Sequence, residues 1–150
     1  MTNLAVIVFG KSNSGKTTTI RAFAEELLSQ NHCKRVCGDI NQKSDFLVCI
    51  NADGTLIGIA SGGDTAEIIN HNLTIFLQKG CDIIITAAKS SGKTHDEIIN
   101  LCSKFERIWL RQRDISIAPI NESKEERLRC TSIKSTIELI HSIIKLAKAP

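Results

Sequence analysis

Gly10-Lys11-Ser12-Asn13-Ser14-Gly15-Lys16-Thr17 is the stretch that decides how this chain folds. It matches the pattern G-x-x-x-x-G-K-[ST] at every fixed position. Before it, Leu4-Ala5-Val6-Ile7-Val8-Phe9 is a continuous apolar run, the composition of a parallel strand buried on both faces. After it, Ile20, Phe23, Ala24, Leu27 and Leu28 recur at helical spacing and form one apolar stripe. The stretch therefore reads as a loop that leaves a buried strand and opens a helix.

That setting suits an anion. Glycines let backbone N–H groups turn inward with no Cβ in the way. The helix start adds unpaired N–H donors and the positive end of the helix dipole. In such a loop Lys16 serves as a mobile point charge for phosphate oxygens, and the Thr17 hydroxyl serves as a metal ligand. Gly10, Lys11, Ser12, Asn13, Ser14, Gly15, Lys16, Thr17 and Thr18 are the candidate ligand-binding set.

On these residues the chain resembles the P-loop NTPases. The strand–loop–helix likeness runs from about Leu4 to Leu28, and beyond it the likeness is architectural. The resemblance implies a nucleoside triphosphate, ATP ahead of GTP, held with Mg²⁺ and hydrolysed slowly as a nucleotide-dependent switch. Lys11 stands where the partitioning, division-site and nitrogenase iron-protein ATPases carry a second lysine, although Ser12 and Asn13 replace the glycines of that group. A homodimer or a protein partner is the corresponding expectation. The runner-up is a small-molecule kinase similar to the shikimate and gluconate kinases. A divergent Ras-like GTPase and a module that binds nucleotide without turnover are further alternatives. In the Ras-like reading Ser61 replaces the first acid of D-x-x-G, and Arg111 and Gln112 replace the Asn-Lys pair of N-K-x-D.

The chain of 150 residues suits one domain with a sizeable core. Apolar residues make up 42% and charged residues 23%, an ordinary balance for a globular protein. A net charge of +3 with scattered Lys and Arg does not call for nucleic acid, and few aromatics are present to stack bases. The first apolar run lacks a basic region before it and breaks at Gly10, so neither a signal peptide nor a membrane span is expected. Six cysteines without paired C-x-x-C spacing read as reduced, mostly buried small apolar residues of a cytoplasmic protein.

Along the chain, Arg35 to Gly38 reads as a short strand ending in Asp39. Phe46 to Ile50 and Thr55 to Ala60 flank Asp53-Gly54, a strong hairpin signal. Asp64 with Glu67 has capping-box spacing for a helix whose buried face carries Ala66, Ile69, Leu73 and Phe76. Asp82 to Ala87 is a further strand, followed by a helix with Ile98, Cys102 and Phe105 on one face. Arg107 to Leu110 is the next strand, and Ile115 to Ile120 is irregular or a short strand broken by Pro119. A helix over about 123–148, capped by Ser123 with Glu126, turns Ile133, Ile137, Ile140, Ile144 and Ala147 to one side. The expected fold is a three-layer α/β/α P-loop domain over residues 1–150, its sheet mostly parallel with one antiparallel hairpin at about Phe46–Ala60.

Phosphoryl chemistry also needs a carboxylate near the metal and the attacking oxygen. Asp64, after Gly62-Gly63, is the first candidate, and Asp39 at the end of its short strand is the second. Catalytic roles are thus expected for Lys16, Asp64 and Asp39, and Mg²⁺ ligation for Thr17, Asp64 and Asp39. Asp82 opens its strand rather than ending it and is set aside. Ser91-Gly92-Lys93-Thr94 repeats the end of the first motif, but Ala87 stands where its leading glycine belongs, so a solvated loop is expected there. His95, Arg111 and Arg113 are weaker phosphate-clamping candidates.

Overall fold

In the computed structural model, which describes residues 3–12 and 14–148, the apolar run forms β1 (Leu4–Phe9) and the stripe forms α1 (Lys16–Leu28). There follow β2 (Cys33–Asp39), β3 (Leu47–Ala52), β4 (Thr55–Ala60), α2 (Ala66–Lys79), β5 (Ile83–Ala88), α3 (Lys93–Leu101), β6 (Glu106–Arg111) and α4 (Glu122–Lys148). The strands make one six-stranded sheet in the order β2-β3-β4-β5-β1-β6. β1 lies between β5 and β6, parallel to both, and β5 is also parallel to β4.

The hairpin forms where Asp53-Gly54 places it, with Ala52 opposite Thr55. Asp53 at φ 52° and Gly54 at φ 86° both occupy positive φ, as a two-residue turn matched to strand twist requires. The sheet departs from expectation in carrying a second antiparallel pair, β2 with β3. Residues 40–46 explain this. They are too few for the crossover of a dozen or more residues that a parallel return needs. β2 thus becomes an edge strand, irregular in register between Arg35 and Cys37 and charged at Lys34 and Arg35, features that blunt an edge.

Alternation along β1 sends Leu4, Val6 and Val8 to one face and Ala5 and Ile7 to the other. The first face packs on Ile20, Phe23, Ala24 and Leu27 of α1 and on Ile137, Ile140 and Ile144 of α4. The second packs on Ile69, Leu73 and Phe76 of α2 and Ile98 of α3. Two helices on each face are compatible with a three-layer α/β arrangement. At β4 the contact is tight, since a Cβ on Gly58 would lie 2.5 Å from the Phe76 ring. Gly58→Ala is therefore expected to destabilise the fold by about 1–3 kcal/mol, read as a lower urea midpoint. An unchanged midpoint would show that Phe76 has room to move.

Two local expectations, both helix caps, are corrected. Asp64 does not cap α2; Thr65 does, its hydroxyl accepting from Ile68 N at 3.2 Å. Ser123 lies inside α4, and Asn121 Oδ1 accepts from Lys124 N at 3.1 Å at the helix start. Of the two alternatives for residues 115–120 the irregular one holds, and the segment is tied to α4 by Ile117 N, which donates to Glu125 Oε1 at 2.7 Å. All six cysteines are free, and of these only Cys130 is exposed. No helix among the described residues is long and apolar enough to cross a membrane.

Candidate functional site

The carboxyl ends of β1, β4 and β5 bring the glycine loop, Asp64 and Lys89 to one edge of the sheet. The loop leaves β1 with Gly10 N donating to Ala88 O at 3.3 Å, and Ser14 N closes a turn on Lys11 O at 3.3 Å. Gly15 takes φ 100° at the start of α1, a left-handed conformation that strains any residue with a Cβ. At Gly10 the close approach is to Gln112, whose carbonyl oxygen would stand 2.7 Å from an added Cβ. Both glycines of the motif are therefore required by the backbone path itself.

Lys16 is only 7% exposed. Its Nζ donates to Gly10 O at 2.8 Å and to Ala88 O at 3.0 Å, which spans the loop from β1 to β5. Burial lowers its pKa from the ordinary lysine value of 10.5; Asp64 opposes that shift, Lys89 adds to it, and Asp45 opposes it. A cavity of about 560 Å³ opens above the amine. Ser12, Gly15, Lys16, Thr17 and Thr18 line one wall, Asp64 another, and Glu126, Arg129 and Ile133 of α4 close the far side. Beneath the loop, Ser14 Oγ is buried with no hydrogen-bond partner among the described residues.

The predicted set is thus largely gathered. Gly15 to Thr18, Ser12 and Asp64 share the cavity, with Gly10 beneath it and Ser14 buried in the loop. Asn13 lies outside the described residues. Lys11 is exposed and lines a neighbouring cleft of about 320 Å³ with Arg111, Arg113 and Asp114. Arg111 lies 4.8 Å over the Phe9 ring. Asp39 is not brought in. It is exposed on the edge strand, four places from β1, a separation of roughly 19 Å at the usual strand spacing. Its carboxylate accepts from Asn41 N at 3.1 Å.

Asp45 is the acid that sequence reasoning missed. Arg21 of α1 donates to Ile40 O and to Ser44 O and stacks over Phe46, which folds residues 40–46 back onto the helix that carries the loop. Ser61 Oγ then donates to Asp45 Oδ1 at 3.4 Å, and the Asp45 charge acts on Lys16. Glu126, expected only to cap α4 with Ser123, instead pairs with Arg129 at 3.2 Å on the cavity wall. Of the weaker candidates, His95 is engaged elsewhere, bonded to Lys89 O at 2.6 Å and stacked on Trp109. In the Ser91–Thr94 stretch the Thr94 hydroxyl accepts from Lys89 N at 3.3 Å. Asp82 stands at the opposite edge, its carboxylate accepting from Leu56 N at 3.0 Å.

No three or more His, Cys, Asp or Glu among the described residues form a metal cage. A magnesium ion needs none, because it keeps several waters and takes one or two protein oxygens besides phosphate. Thr17 and Asp64, on walls of one cavity, fit that donor set.

Comparison with known proteins returned no matching family model, no matching curated protein and no matching solved structure.

Proposed function

We propose that this chain is a P-loop protein that binds a nucleoside triphosphate, ATP ahead of GTP, with Mg²⁺ at Gly10–Thr17, and hydrolyses it slowly. The observation that carries the reading is Lys16, a buried ammonium held by two carbonyls at the floor of an open cavity. A buried cation with only neutral acceptors is poorly compensated, and phosphate oxygens supply the missing opposite charge. Loop N–H groups and the start of α1 add donors around the same point.

Roles follow from position. Lys16 neutralises the β- and γ-phosphate oxygens, and Thr17 holds the metal, whose charge offsets that of the phosphates. Asp64 orients the attacking water, directly or from the metal's shell, and Asp45 stands in for Asp39 as the second acid whose charge acts at Lys16. In hydrolysis the water oxygen bonds to the γ-phosphorus as the bond to the β–γ bridging oxygen breaks. The products are a nucleoside diphosphate, phosphate and a proton. Phosphate release from Mg-ATP and Mg-GTP tests the reading, and no release with no binding of either nucleotide would overturn it.

A second reading has its own observation. Asp64 also borders a cleft of about 330 Å³ lined by Lys89 and Lys93. An anionic hydroxyl compound there would make Asp64 the base of a kinase. Nucleotide consumption that requires an added acceptor separates this reading from hydrolysis.

The lowered pKa of Lys16 sets a pH dependence. Between its folded value and 10.5 the unfolded chain holds more protons at this residue than the folded one, so its contribution to stability rises with pH. Nucleotide binding, which needs the charged amine, is expected to move the other way and weaken below pH 10.5. Affinity that stays flat up to that pH would place the charge requirement elsewhere.

A further inference from the structure

We propose that Gln112 is a positioning residue for the loop, its buried amide donating to a loop carbonyl once the loop closes on phosphate. The inference rests on the nucleotide reading above. Gln112 follows β6 directly and is 2% exposed. Its backbone N–H donates to Phe9 O at 2.7 Å, which fixes it beside the first residue of the loop. Thr19 Oγ1 of α1 donates to its Oε1 at 2.9 Å, which orients the side-chain amide. Its Nε2 stands 4.0 Å from where a Cβ on Gly15 would be. One residue therefore abuts both glycines of the motif and the helix they open.

Nε2 has no acceptor among the described residues, and neither has Ser14 Oγ a partner in the same loop. Buried donors without acceptors are disfavoured, and each one calls for an explanation. The loop supplies it. When its N–H groups turn inward around an anion, the same peptide planes swing their carbonyls outward, toward the amide underneath. A bond made only in that state shifts the loop toward it, because a ligand is favoured by whatever stabilises its binding state alone. The phosphate never touches Gln112, which acts through the loop. In the sequence Gln112 is only compared with the lysine of N-K-x-D; the fold places this glutamine under the glycines.

Three variants separate a positioning donor from a packing residue: Thr19→Val, Gln112→Met and the two combined. Binding of Mg-ATP and Mg-GTP is measured by calorimetry, and stability by urea unfolding. Thr19→Val keeps the amide but removes the bond that orients it, and is expected to bind more weakly than wild type and more tightly than Gln112→Met. Gln112→Met removes the donor and is expected to bind about tenfold more weakly, the scale of one buried hydrogen bond. The double variant sets apolar against apolar, so its urea midpoint returns toward wild type while its affinity stays about tenfold down. Wild-type affinity in the double variant, or in Gln112→Met, overturns the inference and leaves the nucleotide reading in place. If Gln112→Met alone does not fold, the double variant decides. A wild-type chain that binds neither nucleotide removes both.

Discussion

Lys16→Ala is expected to abolish nucleotide binding, weakening it by at least about a hundredfold, the scale of losing a charge-assisted contact to phosphate. The fold is expected to survive. The removed amine is itself a buried charge disfavoured by its surroundings, so the folded state loses little with it. Gly10 O and Ala88 O lose their donor, but the space the side chain vacates joins the cavity that Lys16 lines, so water can replace the amine. Calorimetry with Mg-ATP and Mg-GTP, together with thermal unfolding, checks both halves. Equal affinity in variant and wild type would remove Lys16 from the site. A collapsed melting transition would make its bonds to the two carbonyls primarily structural.

Asp64→Asn is expected to leave binding within a few-fold of wild type and to suppress turnover by about a hundredfold or more, the range of a lost general base or water-orienting group. The structure sharpens this expectation. Because Thr65 rather than Asp64 caps α2, the exposed carboxylate has no helix to hold and is free to act on the cavity it lines. Thr65→Ala gives the complementary result, a loss of about 1 kcal/mol in stability with turnover retained. Steady-state phosphate release by both variants checks the pair. Unchanged turnover in Asp64→Asn would pass the role to Asp45, whose charge also acts on Lys16.

Local pattern made much of this legible. A buried-type strand, a glycine loop and an amphipathic stripe fixed β1, the loop and α1, because each is written in consecutive residues. Asp53-Gly54 specified its hairpin for the same reason. Lateral order was not legible, since periodicity assigns faces and says nothing of neighbours. Asp39 and Asp45 show the consequence. Both stand on polar stretches after β2 begins, but β2 turns back antiparallel at the far edge and leaves Asp39 there. Arg21 then carries Asp45 back toward the loop through contacts that span long separations in the chain. Asp64 and Thr65 both suit a helix cap by residue type, and only the observed hydrogen bond separates them. Glu126 reads as a capping partner of Ser123 and Arg129 carries no signal until α4 is seen to close the cavity, and Gln112, compared only with the lysine of N-K-x-D, is placed under the loop by the fold.

The most direct measurement follows the backbone amide resonances of the wild-type chain as Mg-ATP or Mg-GTP is added. Phosphate held by the loop shifts the amides of Gly10 to Thr18 and those near Asp64, saturating at one nucleotide per chain. Loop amides that stay in place at saturating nucleotide, whether or not resonances elsewhere move, would contradict it.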